Sequence, residues 1–538
     1  MRESLMKTFD DIYILDLHGN SKKKEKNPAD GSADQNVFDI TEGVSIGIFV
    51  KKPASRALPT DVRKSSAFPK GDDKSVAAAP PEQRHSRKNE ADGEAELRRT
   101  SGDKAANVYH HDLYGVREVF DRTDGEKKII GGKYKYLREN DLTTTEWTEL
   151  EPQSPFYLFV KQNVQLRAEY EQYWTITSVF PFNNVGLVTS RDSLTIHYTA
   201  DSILNTVKEF SALPVEEARS RFNLGKDALD WTVSLAQEDL NKSAGGITKD
   251  LVTSVLYRPF DRRFTYYTGT ASGFHCRPRA DVMREFAFQD NLGLAVGRAG
   301  QVVGDIDWDL LFVSNSITEF NLFRRGGNSL FPLYLYPKRK EGLFDETNNE
   351  RRANISPEFI EAFSNKLGET PTPEDIFNYA YAVFHSPEYR SRYAEFLKID
   401  FPRLPLTSDL KLFRKLAAFG DELVKTHLLE RDLPEIAVYP ADGDNVVEAI
   451  KFDETSRDTG RVWINTKQYF DDVPKEVWEF HIGGYQVCHK WLKDRKGRTL
   501  SYDDLIHYKK IFSALAETIR LMSEIDKTIA KHGGFPFK

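Results

Sequence analysis

Residues 258–325 of this sequence concentrate side chains that could bind phosphate groups or nucleobases. This arginine-rich segment holds nine arginines and no lysine. A guanidinium is planar and always charged, so it can grip a phosphate or the O6/N7 edge of guanine with two parallel hydrogen bonds. The segment therefore predicts contact with nucleic acid through a set of arginines: Arg258, Arg262, Arg263, Arg277, Arg279, Arg284, Arg298, Arg324 and Arg325.

Acidic residues in the same segment keep a second interpretation open. Eight carboxylates, including Asp261, Asp281 and Asp309, stand against the nine arginines, so many of these cations could form structural ion pairs instead. Some arginines flank glycine or proline, which predicts loops, where binding residues tend to lie. These are Arg277, Arg279, Arg298, Arg324 and Arg325.

A second basic cluster follows near the C-terminus. It mixes lysine with arginine, which suits phosphate positioning better than base reading. A solvated hairpin tip is the alternative interpretation. The cluster consists of Lys490, Lys493, Arg495, Lys496 and Arg498.

No catalytic motif accompanies these basic groups. The sequence lacks G-x-x-x-x-G-K-[ST], G-x-G-x-x-G, G-x-S-x-G, H-E-x-x-H and paired C-x-x-C patterns. The adjacent His110 and His111 have no partner at metal-ligand spacing, which favours a structural role. Asn27-Pro28 lacks the second proline and the aromatic residue of an Asn-Pro-Pro-Tyr clamp for a flipped adenine. We therefore predict no catalytic residue and no metal site.

Bulk composition narrows the class of protein. With 538 residues and 39% hydrophobic side chains, the chain should divide into roughly three units. A net charge of −7 argues against a general polyanion binder, so a DNA contact must come from a local patch. Two distant cysteines, the absence of an apolar run of ~18–20 residues and an N-terminus without signal-peptide character predict a cytoplasmic protein without membrane contact.

The first 107 residues divide into an ordered part and a tether. Residues 2–9 predict a helix, and residues 12–17 and 44–51 predict two strands so uniformly apolar that both faces should be covered. Two strands cannot form a domain, so they must dock on the downstream chain or on a sheet outside it. Residues 53–107 are rich in Ser, Ala, Pro and charged side chains, which predicts a disordered linker.

The remaining chain changes character once. Residues 108–340 show short strands broken by Gly, Pro and Asn, with one helical insert near 200–222, and so predict a mixed, β-rich unit. Residues 341–538 are mainly helical with a β-hairpin region at 462–491. The last helix, 503–529, carries one apolar stripe that should pack in the core, with docking on another subunit as the alternative.

Several long stretches, in order, resemble the type ISP single-polypeptide restriction-modification enzymes. These enzymes join a nuclease, a helicase-like ATPase, an adenine-N6 methyltransferase and a target recognition domain. The matching stretches are 109–115 (YHHDLYG), 145–159 (TEWTELEPQSPFYLF), 258–263 (RPFDRR), 331–337 (FPLYLYP), 401–405 (FPRLP) and 482–498 (IGGYQVCHKWLKDRKGR).

This resemblance implies an α/β and α+β fold in four parts. Residues 1–52 would be the C-terminal remnant of a class I methyltransferase sheet, 53–107 the linker, 108–340 the β-rich part of the target recognition domain and 341–538 its helical part. The partner would be double-stranded DNA, together with an upstream methyltransferase or helicase-nuclease chain. The implied DNA-binding residues are Arg262, Arg263, Arg277, Arg279, Arg298, Arg324, Arg325, Lys493, Arg495 and Arg498.

The methyltransferase motifs that bind S-adenosylmethionine and the target adenine are absent from this sequence. The resemblance thus implies that the intact family enzyme uses S-adenosylmethionine whereas this chain holds no cofactor and is inactive alone. Two alternatives stay open. The chain could be one half of a split adenine-specific DNA methyltransferase completed by an upstream chain, or a decayed remnant that keeps only its fold.

Overall fold

The computed structural model of the protein describes residues 1–21, 25–52, 105–121, 128–154, 156–228, 230–242, 246–298, 308–324, 327–337, 350–440 and 442–538. The chain forms two compact units, Met1–Lys161 and Gln162–Lys538. Nearly all of the predicted linker, residues 53–104, lies outside the described residues, as does Arg325.

The first unit contains a small mixed sheet, a separate two-stranded sheet and two short helices. Its helices are α1 (Arg2–Thr8) and α2 (Lys133–Glu139), and its strands are β1 (Asp11–Asp16), β2 (Ser45–Val50), β3 (Asn107–Asp112), β4 (Val119–Asp121), β5 (Lys128–Gly131) and β6 (Thr148–Leu150). The predicted helix and both predicted strands are confirmed to within a residue or two.

Strand β1 lies inside a four-stranded sheet of order β2-β1-β3-β6. It runs antiparallel to β2, where Asp11 faces Val50, and parallel to β3, where Asp11 faces Asn107. Of the two docking sites predicted for the first strands, β1 uses the downstream chain. The prediction that both faces of both strands are covered is wrong for β2, because Ile46, Ile48 and Phe49 are 38–39% exposed.

Helices are more numerous in the second unit than the sequence predicts. Short helices lie between the strands, and several begin at a side-chain cap, such as Asn163 accepting from the Leu166 amide and Thr232 from the Leu235 amide. These helices are α3 (Val164–Glu171), α4 (Ile176–Val179), α5 (Asp192–Thr195), α6 (Ala200–Ala212), α7 (Val215–Arg221), α8 (Val233–Asn241) and α9 (Ala280–Met283).

Strands of the second unit form several small sheets. They are β7 (Trp174–Thr175), β8 (Asn184–Val185), β9 (Val252–Arg258), β10 (Asp261–Tyr266), β11 (Gly293–Val296), β12 (Leu311–Ser314), β13 (Ile317–Thr318), β14 (Ser329–Pro332), β15 (Tyr334–Leu335), β16 (Arg352–Ala353), β17 (Arg403–Leu404), β18 (Lys451–Glu454), β19 (Thr459–Trp463), β20 (Tyr469–Pro474), β21 (His481–Ile482) and β22 (Tyr485–Gln486). The sheets with three or more strands have the orders β10-β9-β13, β12-β11-β14-β8 and β18-β19-β20. The predicted mixture of helices and small sheets is confirmed.

The C-terminal helices form the larger core of this unit. Ser356 caps α10 and Pro357 takes its first position, as predicted. The 30-residue α17 packs its apolar stripe, which includes Tyr508, Leu515 and Ile525, against other helices of the chain, so the predicted core packing is confirmed. The helices are α10 (Pro357–Leu367), α11 (Pro373–His385), α12 (Pro387–Arg392), α13 (Ala394–Leu397), α14 (Leu410–His427), α15 (Lys475–Glu479), α16 (Val487–Lys493) and α17 (Tyr502–Lys531).

In the part of the chain that the structure describes, no helix combines the length and the apolar character needed to cross a bilayer.

Candidate nucleic-acid interface

The hairpin of β9 and β10 separates the arginines of the RPFDRR stretch by strand alternation. Successive side chains of a strand point to opposite faces, so Asp261 and Arg263 are buried on one face while Arg262 is exposed on the other. At the turn, Phe260 has a positive φ of 61°. One short stretch thus supplies both a buried ionic group and an exposed cation.

Asp261 holds two buried guanidiniums at once. Its Oδ2 accepts from Arg263 Nη2 at 2.7 Å, and its Oδ1 accepts from Arg495 Nη2 at 2.9 Å. Burial alone would raise the pKa of Asp261, but the charges of Arg495 and Arg263 outweigh it and hold the pKa at about 2. The carboxylate therefore stays ionised, and it joins the arginine-rich segment to the second basic cluster.

Tyr198 packs against three of the predicted arginines. Its ring centroid lies 3.4 Å from the Arg498 guanidinium carbon, 4.4 Å from that of Arg263 and 5.2 Å from that of Arg495. The Tyr198 hydroxyl donates to the Asp494 carbonyl oxygen at 2.6 Å. Sequence reasoning missed this tyrosine, because it lies outside both clusters of basic residues.

Four further arginines of the predicted set reach the surface of the second unit. The Arg262 guanidinium donates to Asn315, and Arg277 is half-exposed and pairs with Asp230. The Arg298 guanidinium lies 5.2 Å from the Phe401 ring centroid, and the exposed Arg324 anchors its backbone amide on the Gly483 carbonyl at 2.7 Å. Within the described ranges, Arg262, Arg298 and Arg324 form no ion pair.

Arg279 occupies a special backbone position. Its φ of 53° places it in the left-handed region immediately before α9, and its side chain is partly buried. The Nε atom of this side chain has no hydrogen-bond partner within the described ranges. Arg279 therefore holds a buried donor, its Nε, that no described acceptor satisfies.

The second basic cluster, like the β9–β10 hairpin, contains both buried and exposed cations. Lys493 ends α16 and is exposed, whereas Arg495 is buried and stacks 3.4 Å from the Trp491 ring centroid. Lys490 is partly buried and pairs with Asp494 at 2.5 Å. Lys493 and Lys496 are thus exposed, with the stacked Arg498 half-buried beside them.

The histidines and cysteines make structural contacts in the described residues. His111 Nδ1 lies 2.8 Å from the Glu146 carbonyl oxygen, and burial lowers the pKa of His110. Cys276 and Cys488 are buried free thiols. No group of three or more His, Cys, Asp or Glu side chains in the described ranges is arranged to hold a metal ion.

Three solved structures share this fold, and two of them are of Type ISP restriction-modification enzymes. The ATP-dependent Type ISP enzyme LlaBIII bound to DNA aligns with a TM-score of 0.63 and 18% identity, over 98% of this chain and 31% of its own. A DrdV–DNA complex aligns with a TM-score of 0.61 and 20% identity, over 98% and 48%. A nuclease-deletion mutant of the Type ISP enzyme LlaGI in complex with a DNA substrate mimic aligns with a TM-score of 0.58 and 17% identity, over 97% of this chain and 44% of its own.

The chain therefore spans about a third to a half of the length of these solved enzymes. No curated protein matches its sequence. The model of the Type ISP C-terminal specificity domain matches residues 178–524, which include the β9–β10 hairpin, Tyr198 and the second basic cluster. This match confirms the resemblance seen in the sequence motifs. Because it covers well over half of the chain, the protein belongs to the Type ISP C-terminal specificity domain family.

Proposed function

We propose that the chain is the DNA target recognition module of a Type ISP restriction-modification enzyme and binds double-stranded DNA. The observation that carries the proposal is the family match over residues 178–524, which contains every described basic residue of the predicted set. LlaBIII and DrdV were solved bound to DNA, which supports the same partner for this chain.

We retain as DNA contacts the members of the predicted set that are exposed or partly exposed. Arg263 and Arg495 are buried in the Asp261 network, and their burial supports a structural role instead. Arg325 stays a prediction from the sequence alone. The retained residues are Arg262, Arg277, Arg279, Arg298, Arg324, Lys493 and Arg498.

Their chemistry supports two kinds of contact. An arginine can grip guanine with two hydrogen bonds and so carries sequence information. A contact with phosphate fixes register and carries only charge. We assign base reading to the arginine-rich segment and phosphate contact to Lys493 and Arg498, since the second cluster mixes lysine with arginine.

Selection from a random duplex library tests the proposal. The full chain is incubated with duplexes that contain a randomised stretch, and the bound fraction is sequenced over several rounds. We expect enrichment of one asymmetric motif. If no motif is enriched and all duplexes are retained equally, the proposal of target recognition is rejected. Absence of duplex binding even at low salt would remove DNA binding as well.

We also propose that residues 1–52 end a class I methyltransferase sheet, with residues 108–340 and 341–538 as the two parts of the recognition domain. The parallel pair β1–β3 with the antiparallel β2 beside it supports this assignment. The compact first unit continues to Lys161, because β3 and β6 complete its sheet.

S-Adenosylmethionine does not fit the residues present. Ligands of parallel α/β sheets bind beyond the carboxyl ends of the strands. Beyond β1 and β3, the His18 ring stacks on Tyr114 at 3.8 Å between centroids, and His18 Nε2 lies 3.0 Å from Asp112 Oδ1. This stack fills the edge, and the sequence has no glycine-rich loop there.

A split methyltransferase is the second candidate, and the exposed edge strand β2 favours it. An open strand edge presents unpaired backbone groups that another strand can join, and the partly exposed Ile46, Ile48 and Phe49 add apolar surface. Co-expression with an upstream segment that carries the Asn-Pro-Pro-Tyr motif tests it. Co-purification together with adenine methylation would support the split enzyme. The absence of both results would reject it.

A further inference from the structure

Two arginines of the predicted set, Arg298 and Arg324, lie beside the same buried side chain, Phe323. Arg298 follows Gly297 in the sequence, and Arg324 follows Phe323. A Cβ added at Gly297 would lie 3.1 Å from Phe323 Cδ2, and a Cβ added at Gly483 would overlap Phe323 Cδ1. These two carbons are on opposite edges of the ring. The fully buried Phe323 is therefore packed between two glycines.

The backbone before β12 holds the same two glycines. The Leu310 carbonyl oxygen accepts from the Gly297 amide at 2.8 Å, and the Asp309 carbonyl oxygen accepts from the Gly483 amide at 3.2 Å. Arg324 donates its amide to the Gly483 carbonyl oxygen at 2.7 Å. Two consecutive carbonyl groups thus fix the backbones that carry the two arginines at adjacent places.

Gly483 and Gly484 form the turn between β21 and β22. Their φ values of 61° and 73° lie in the left-handed region, which glycine adopts without steric cost. The Gly484 amide donates to Asp309 Oδ2 at 3.1 Å. Position 483 thus requires glycine for two reasons, its backbone conformation and its contact with Phe323. The turn is a fixed support for the Arg324 backbone.

The guanidinium groups of both arginines are accessible. Arg298 and Arg324 are exposed, and neither forms an ion pair within the described ranges. The fork of an arginine grips the O6/N7 edge of guanine with two hydrogen bonds. Successive base pairs are ~3.4 Å apart along the helix axis, so two forks on adjacent backbones span only a few base pairs.

We propose that Arg298 and Arg324 read two neighbouring guanines of the DNA target as one unit. The inference rests on the proposed function, and it adds which bases the module recognises. The target would contain two guanines, on either strand, within about three base pairs of each other. Phe323 and the Gly483-Gly484 turn are positioning residues, because they act through the arginines.

Variants that preserve charge test the reading unit. Arg298→Lys and Arg324→Lys keep the positive charge but lose the bidentate grip. The full chain and each variant select from the random duplex library, and duplexes with single base-pair changes in the selected motif are then titrated. Each variant should lose about 5- to 140-fold of its discrimination at one G·C pair. The two affected pairs should lie within about three base pairs of each other.

Three results would overturn the proposal: affected pairs farther apart, an equal loss at every position of the motif, or no affected position. A wild-type motif without two neighbouring guanines would also overturn it while leaving target recognition intact. If the wild-type chain selects no motif at all, the proposed function is rejected as well.

A backbone variant tests the positioning. Gly483→Ala should relax discrimination at both G·C pairs at once, because the added methyl group displaces Phe323. Gly368→Ala, after α10, is the matched control. Its φ of 78° gives similar backbone strain, and nothing lies within 4 Å of the added methyl group, so it should keep the wild-type motif. Full discrimination at both pairs in a folded Gly483→Ala protein would contradict the positioning. If that variant does not fold, the two lysine variants decide the proposal by themselves.

Discussion

Asp261 and Arg495 form a buried ion pair between positions 234 residues apart, with 2.9 Å between Oδ1 and Nη2. The pair ties the β9–β10 hairpin to the loop after α16. Since Arg263 shares the same carboxylate, one side chain fixes the relative placement of the two basic groups. Any DNA surface that uses both groups depends on this contact.

Asp261→Asn should destabilise the fold strongly. The change removes the carboxylate that lies 2.7–2.9 Å from two buried guanidiniums, and the carboxylates that remain are farther away: Asp494 is 3.5 Å from Arg263 and Asp504 is 3.9 Å from Arg495. Breaking a buried pair in this way costs about 3–5 kcal/mol. Chemical denaturation measures the loss. Asp230→Asn is the control, because it removes the carboxylate that pairs with the half-exposed Arg277, where about 0–1 kcal/mol is expected. Similar losses in both variants would contradict a central role for Asp261.

Low pH should remove the contribution of the ionised Asp261 to the free energy of unfolding. The folded-state pKa of Asp261 is about 2, below the unfolded value near ~3.9. Its contribution is therefore fully present above about pH 4, and it is lost as pH falls toward 2. The difference in unfolding free energy between wild type and Asp261→Asn should shrink by roughly 2–3 kcal/mol over that window. A difference that stays constant from pH 5 to pH 2 would refute it.

Local signals were sufficient to predict much of this fold. Ser356 and Pro357 start α10 through a side-chain cap and a fixed φ, and both effects involve neighbours in sequence. The stripe of α17 likewise follows from helical spacing. The parallel pairing of β1 with β3 could not be predicted, because it joins strands about ninety residues apart across the linker.

The candidate site shows the same division. Residue type alone gave Arg262 and Arg263 equal weight, although strand alternation exposes one and buries the other. Alternation was readable from the sequence once β10 was assigned. The burial of Arg495 was not readable, since its partner Asp261 lies in another element. Tyr198 was missed because an aromatic side chain gives no charge signal.

The chain alone should not bind S-adenosylmethionine. A ligand that binds the folded state raises the unfolding midpoint by an amount set by its concentration and Kd. We expect neither a heat of binding in calorimetry nor a shifted midpoint at saturating cofactor. A saturable heat would show that the edge beyond β1 and β3 opens, and would favour the split methyltransferase.

Tyr198 should position Arg498 through its ring rather than through its hydroxyl. Tyr198→Phe loses the hydrogen bond to Asp494 but keeps the ring under the guanidinium. Tyr198→Leu removes the ring. We expect only the leucine variant to lower the dependence of duplex affinity on salt, because a misplaced Arg498 no longer neutralises a phosphate. Identical salt slopes in both variants would leave Tyr198 a purely structural residue.

Base contacts and phosphate contacts should fail differently when removed. Arg298→Ala or Arg324→Ala, if the arginine grips guanine, should cost roughly 1–3 kcal/mol on the selected motif and much less on scrambled DNA. Lys493→Ala should weaken all duplexes alike and reduce the slope of log affinity against log salt by about 0.9.

Titrations of both duplexes at several salt concentrations separate these outcomes. Arg277→Ala should cost less on the selected motif than Arg298→Ala or Arg324→Ala, because Asp230 already pairs with the Arg277 guanidinium. If Arg298→Ala and Arg324→Ala each lose the same affinity for both duplexes, these arginines contact phosphate and not bases. Base reading would then have to come from the other arginines of the segment, such as Arg262, which is exposed and donates to the neutral Asn315.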